Sequence, residues 1–160
     1  MKTVEELYQQ LITGLREDEK SVYDLDKIEQ AYQYAVRHHG DQQRASGEPY
    51  ICHPLNVAII THEFGLDTDS IVAALLHDTA EDTDATIEDI SLKFGASVAE
   101  LVDSVTKIGK IPYSSKEEAQ IEYLRKMFFA MAKDLRVIII KLADRLHNIR
   151  TLGAVMESKQ

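Results

Sequence analysis

Six consecutive residues, His77 to Asp82 in the order HDTAED, put a histidine, an aspartate and two further acids directly behind the apolar run IVAALL. On a continuing helix His77 and Glu81 are neighbours on one face, and so are Asp78 and Asp82. Acids held against a core need a cationic partner, and a metal ion is the commonest one. An ordinary helix end, with solvated acids and a hydrogen-bonded core histidine, is the plainer reading of the same hexamer. Two other segments carry matching chemistry. His53 precedes Pro54 where a helix starts, a firm place for a ligand, although a capping or surface histidine fits there too. Further on, Lys141, Asp144, Asn148 and Thr151 recur at spacings of three, four and three and so stand in a line along one helix. Asp144 in that line calls for a cation, either Lys141 one turn back or a metal. The sum is His53, His77, Asp78 and Asp144, with Glu81 and Asp82 beside them. A nitrogen and oxygen donor set without thiolate suits a divalent ion such as manganese, iron or zinc. An ion with open positions lowers the pKa of bound water to about 7, and a neighbouring carboxylate can take or return the proton. That constellation does hydrolysis, most naturally at phosphorus.

The elements that must position these groups are all helical. Val4, Leu7, Tyr8, Leu11, Ile12 and Leu15 repeat at the spacing of an amphipathic helix. Leu25, Ile28, Tyr32, Ala35 and Val36 do the same from about Asp24 to His39, where Gly40 ends the helix; His38 and His39 at that end read as structural, with the helix dipole favouring an imidazolium. The loop GDQQRASGEPYIC carries Arg44, Ser46, Tyr50 and the turn pair Glu48 and Pro49, and leads into a helix through Val57, Ile60 and Phe64 to Gly65. The helix bearing the hexamer begins near Asp69 or Ser70 and packs Ile71, Ala74 and Leu75. Thr86 with Asp89, and Ser97 with Glu100, resemble capping boxes on either side of Gly95; the second helix runs through Leu101, Val102, Val105 and Ile108. The stretch GKIPYSS breaks the second half, and Ser115 with Glu118 opens a helix whose Leu124, Met127, Phe128 and Met131 read as core. The last helix starts at Asp134. Its Leu135, Ile138, Ile139, Leu142, Leu146 and Ile149 form one apolar face, and Val137 and Ile140 make its first half apolar all round, so a buried central helix with a polar cavity lining is expected.

With 160 residues the chain fits one domain with a sizeable core. Its 44% hydrophobic and 28% charged residues are those of a soluble globular protein, and no run is long enough to span a bilayer. The polar, amphipathic first helix is no signal peptide. A single cysteine, Cys52, excludes an internal disulfide and a cysteine-based zinc cluster, which makes a reducing cytosol the default. The net charge of −9 argues against a nucleic-acid surface.

The stretches RASGEPYICHP, HDTAEDT, KEEAQIEYLRKM and VIIIKLADRLHNIRTL resemble the hydrolase domain of the RelA/SpoT homologues, the Rel-type enzymes of the bacterial stringent response. The resemblance runs from about Leu25 to the end. It implies an all-helical HD-superfamily fold with the metal site between helices, and removal of the 3′ pyrophosphate from the alarmones ppGpp and pppGpp with manganese. It further implies His53, His77, Asp78 and Asp144 as metal ligands, with Glu81 and Asp82 activating or orienting the water. Arg44 would then stack on guanine, Ser46 help to hold the base, and Asn148 and Thr151 hold the sugar and phosphates.

Two positions depart from the family pattern. Ala45 stands where a lysine usually follows the arginine, and Ala154 replaces a larger apolar residue near the base. The metal and water-activating positions are intact, unlike those of synthetase-only relatives. Long members continue into synthetase and regulatory domains, so the chain reads as the hydrolase segment, residues 1–160, of a longer bifunctional protein; a freestanding small alarmone hydrolase is the lesser alternative. A regulatory module that binds nucleotide without turnover, and an HD hydrolase of another phosphorylated nucleotide, are the other functional readings.

Overall fold

The apolar run behind the HDTAED hexamer organises the molecule. In the computed structural model, which describes residues 1–109 and 116–158 without the side chains of residues 109, 130–132, 154, 155 and 158, every residue from Ile71 to Leu76 is 0% exposed. A helix that is apolar on all sides needs neighbours on all sides. The described elements, in chain order, are α1 (Val4–Arg16), α2 (Leu25–His39), α3 (Cys52–Glu63), α4 (Thr68–Leu76), α5 (Thr79–Asp82), α6 (Ile87–Phe94), α7 (Ala96–Gly109), α8 (Lys116–Lys133) and α9 (Leu135–Ser158). Of these, α4 is the central one, packed by α2, α3, α7 and α9. Among the described residues the one pairing of extended backbone is an antiparallel bridge between Gln43 and Pro49. The chain is thus all-α.

Local signals set most of the boundaries. Thr3 and Glu6 form a reciprocal capping box on α1. Asp24, Asp67 and Thr86 accept from backbone N–H groups at the starts of α2, α4 and α6. Gly40 ends α2 with φ 53°, a left-handed conformation open to glycine. Tyr23 and His62 both reach the carboxylate of Asp18, at 3.3 and 2.8 Å, and fasten the α1–α2 connection to α3.

Five expectations are corrected. The helix carrying His77 does not continue through Asp82: α4 stops at Leu76, and α5 is a separate turn. The cause is side-chain competition for the last carbonyls, His77 Nδ1 lying 2.6 Å from the Ala74 oxygen and Thr79 Oγ1 donating to the Leu76 oxygen at 2.7 Å. Ser97 lies inside α7 rather than capping it, because the helix already begins at Ala96. His39 is buried, and burial pushes its pKa down, against the expected imidazolium. Last, α9 is not centrally buried, and α8 does not bury its expected core face. Val137, Ile138, Ile140, Ala143 and Asp144 face inward, while Leu135, Leu142, Ile149, Leu124 and Phe128 are exposed. Periodicity shows which residues share a face, but not whether a neighbour covers it. The expected roles of Ser115, Met131, Ala154 and the break after Gly109 lie outside the described residues.

Truncation should separate these two kinds of apolar residue. Leu75→Ala should cost about 2–5 kcal/mol in urea unfolding, the range for a fully buried leucine. Leu124→Ala should stay within about 0.5 kcal/mol of the unmodified protein. An equal loss at both would mean that the α8 face is covered.

Candidate functional site

Three helices deliver three ligand-type side chains to one point. His53 is the second residue of α3, His77 the residue that ends α4, and Asp144 lies on the inward side of α9. His53 Nε2 is 2.7 Å and His77 Nε2 3.4 Å from the same oxygen, Asp144 Oδ1. The ligand atoms of these three residues all lie within 4.8 Å of one another, and all three residues are buried. Asp78 closes on both imidazoles from the other side, its Oδ2 3.1 Å from His77 Nε2 and 3.6 Å from His53 Nε2. Lys141 takes the remaining oxygen of Asp144, Oδ2, at 2.9 Å, and Asn148 Nδ2 approaches Oδ1 at 3.4 Å. Lysine and cluster therefore divide the Asp144 carboxylate between them.

Charge explains why this packing is tolerated. Burial opposes ionisation of Asp144, but the close approach of His53 and His77 and the charges of His77 and Lys141 outweigh it and hold its pKa well below the carboxylate range. Asp78 is lowered in the same way, against burial, chiefly by His77. Burial also disfavours a charge on His77, yet Asp78 and Asp144 raise its pKa well above the usual imidazole value. The pair of carboxylates thus demands positive charge at this point. His77 Nε2 is buried and makes no hydrogen bond, although two carboxylate oxygens stand within 3.4 Å of it. A nitrogen aimed in this way among oxygen donors fits a divalent cation, and the absence of sulfur suits a borderline or hard ion.

Around the cluster the loop between α2 and α3 supplies a further layer. Tyr50 Oη lies 2.9 Å from Asp78 Oδ2 and 3.0 Å from Asp82 Oδ2, so the two acids expected to share a helix face are joined through a tyrosine instead. Burial and the two carboxylates push the Tyr50 pKa up, which keeps its hydroxyl a donor. Glu81 stands exposed beside Asp82 on α5. Arg44 spans from the loop to α9: Nη2 donates to Asn148 Oδ1 at 2.7 Å, and Nη1 to Thr151 Oγ1 at 3.1 Å and to Glu48 Oε1 at 3.4 Å. Ser46 Oγ donates to the same Glu48 oxygen at 3.3 Å. These contacts fix the guanidinium between the loop and α9. Ala45 is exposed. A cavity of about 290 Å³ adjoins this layer, lined in part by Glu48, Asn56, His147, Thr151 and two cations, Lys2 and Arg150.

Glu48, Tyr50 and His147 are contributors that were not given roles from the sequence. The His147 and His53 rings meet edge to edge, with centroids 4.9 Å apart and the two Nδ1 atoms 2.7 Å apart. Burial, His53 and Arg44 lower its pKa to about 4. The signal for it was present: three residues after Asp144 and four before Thr151, it belongs to the same polar stripe.

A divalent ion should bind at one equivalent per chain, as read by elemental analysis after dialysis. Asp144→Asn, which keeps the shape and a hydrogen-bonding group for Lys141, should lose most of that metal and the thermal shift it produces. Unchanged metal content in this variant would remove Asp144 from the ligand set.

Comparison with known proteins agrees with this geometry. The family model described as HD domain matches residues 31–160. A guanosine-3′,5′-bis(diphosphate) 3′-pyrophosphohydrolase of Aquifex aeolicus is 53% identical over 135 residues, which cover 84% of this chain and 19% of that protein. The bifunctional (p)ppGpp synthase/hydrolase SpoT of Escherichia coli is 49% identical over 160 residues, covering 100% of this chain and 22% of that protein. The chain therefore spans about a fifth of the length of the curated relatives it matches. A solved metazoan orthologue of SpoT, which hydrolyses ppGpp and plays a role in starvation responses, superposes with a TM-score of 0.67 at 36% identity, over 84% of this chain and 74% of that one. Among the described residues no helix is long and apolar enough to cross a membrane. With an all-helical fold, histidines and aspartates gathered between its helices and a family match over most of its length, the chain belongs to the HD domain family and, within it, to the RelA/SpoT homologues.

Proposed function

We propose that this domain is a guanosine-3′,5′-bis(diphosphate) 3′-pyrophosphohydrolase, releasing pyrophosphate from (p)ppGpp to leave GDP or GTP. The observation that carries the reading is the convergence of His53, His77, Asp78 and Asp144 beside the Arg44, Asn148 and Thr151 group. Relatives at about half identity named for this reaction support it. Those four residues would hold the ion, with manganese as the metal the family implies. When bound, such an ion supplies Lewis acidity, making water a nucleophile near neutral pH and drawing charge from a phosphoryl oxygen. A synthetase and regulatory domains as partners in a longer chain belong to the same proposal, since relatives carry names for both activities.

The protein's own groups have separable tasks. Asp82, tied through Tyr50 to Asp78, takes the proton from the attacking water, with Glu81 as its neighbour on α5. Water adds to phosphorus, the bond to the ribose 3′ oxygen breaks, and that oxygen regains a proton to become a hydroxyl. Arg44 presents a flat face to the guanine, and Ser46 helps to hold the base. Asn148 and Thr151, on the same stripe as Asp144, hold sugar and phosphates. A module that only binds nucleotide has no use for carboxylates poised beside the ligand set.

Glu81→Gln with Asp82→Asn should leave manganese and nucleotide bound but slow turnover of ppGpp by about 100-fold or more. Near-normal turnover would show that the water needs no carboxylate, and an unmodified protein inert towards ppGpp with manganese would favour the binding module. Arg44→Ala should raise KM for ppGpp strongly, Arg44→Lys should recover it only in part, and Ala45→Lys should lower it. If Arg44→Ala were kinetically silent, hydrolysis of a different phosphorylated nucleotide would become the better reading.

A further inference from the structure

A metal-ligating imidazole must offer an unprotonated nitrogen to the ion, and the proton on its other nitrogen must go somewhere. His77 meets this need locally, since its Nδ1 faces the Ala74 carbonyl, which can only accept. His53 has no such carbonyl. Its Nδ1 faces His147 Nδ1 at 2.7 Å, two ring nitrogens that share one proton.

Hydrogen-bond counting around His147 says which ring carries it. The Thr151 hydroxyl has one proton and two lone pairs. Its proton goes to the His147 carbonyl at 2.9 Å. One lone pair receives Arg44 Nη1–H at 3.1 Å. The other faces His147 Nε2 at 3.4 Å and can only accept there, so Nε2 carries the proton of a neutral His147. Nδ1 of His147 is then a lone pair, and the shared proton belongs to His53 Nδ1. With an ion in place of the proton that Asp144 Oδ1 otherwise accepts, His53 Nε2 is then a lone pair on the side of Asp144, Asp78 and His77. Asp144 Oδ1, 2.7 Å from that nitrogen, competes for the proton in the opposite sense, and His147 is the counterweight.

We propose that His147 is a positioning residue of the metal centre, accepting the Nδ1 proton of His53 so that the Nε2 lone pair of His53 serves the ion. The inference rests on the metal reading above. It adds that the residue group assigned to nucleotide, Arg44 and Thr151, is wired through His147 to a metal ligand. Metal affinity consequently depends on the orientation of His147, a side chain that itself touches no metal.

Two measurements test this without reference to turnover. In Zn2+-loaded protein, long-range 1H–15N spectra should show His53 protonated at Nδ1; protonation at Nε2 would overturn the proposal, whatever the variants do. Calorimetric titration with Mn2+ gives the second. His147→Phe keeps a flat ring but removes the acceptor, and should weaken Mn2+ binding by about 10- to 100-fold, the usual scale for an outer ligand partner. His147→Asn loses the ring but keeps an acceptor oxygen, and should recover most of that loss. A role in packing alone gives the reverse order, with phenylalanine close to the unmodified protein and asparagine worse, and that order would also overturn the proposal. Failure of the unmodified protein to bind Mn2+ would sink the metal reading and this inference together. Tight binding that His147→Phe leaves untouched would sink only the inference.

Discussion

One oxygen atom, Asp144 Oδ1, meets two imidazoles from two other helices, and the rest of the structure answers to that contact. An ionised carboxylate taken out of water is costly, and it is tolerated only where hydrogen bonds and opposite charge replace its hydration. Here the replacement is spread over three helices, so the helices must hold their relative positions closely for the site to exist. This explains why the most buried helix, α4, ends in His77 itself. The central core element and the one that carries His77 into the histidine and aspartate cluster are one piece of chain, and any loosening of the core would be felt directly at that cluster.

The way α4 ends is therefore part of the site. Had the helix continued past Leu76, backbone N–H groups of the next turn would have competed for the Ala74 and Leu76 carbonyls that His77 Nδ1 and the Thr79 hydroxyl take. The His77 ring would lack the bond that aims Nε2 inward. The break also frees Asp78 to turn towards both histidines and Asp82 to reach Tyr50. Local hydrogen bonding thus divides the stretch into two parts, one placing His77 and Asp78 in the cluster and one placing Glu81 and Asp82 beside it.

Much of this was legible from residue type and spacing. The polar stripe Lys141, Asp144, Asn148 and Thr151 on an otherwise apolar helix marked a lined cavity, and the structure joins its members to one another and to Arg44. His53, His77, Asp78 and Asp144 could be collected from the sequence but not placed, because nothing local says that the start of α3, the end of α4 and the middle of α9 meet. His147 escaped notice because one histidine on a polar stripe carries no mark of its partner, which lies 94 residues away. Leu124 and Phe128 misled for the opposite reason: they keep helical spacing without a neighbour to cover them. Tyr50 and Glu48 lay in a loop whose composition predicts only a turn, and their roles come from contacts that no spacing rule encodes.

The electrostatics of the whole chain set the terms on which a polyanion can bind. A net charge of −9 repels such a ligand at a distance, but at physiological ionic strength charges are screened beyond about 8 Å, so the repulsion is felt mainly as a slower approach. What matters at contact is the sign of the nearest groups. Around the cavity beside Thr151 those are Arg150, Lys2 and Glu48, with Arg44 bonded to Thr151 and Lys141 to Asp144. Arg44 is already held by Glu48, Asn148 and Thr151, so its orientation costs little further entropy on binding. Glu48 neutralises part of its charge, so under the proposed function its value would shift from attraction towards shape, that of a fixed, flat cation for a planar base. Selectivity in a site of this kind comes from geometry at short range, and the acidic remainder of the surface works against loosely held anions that lack a base to stack.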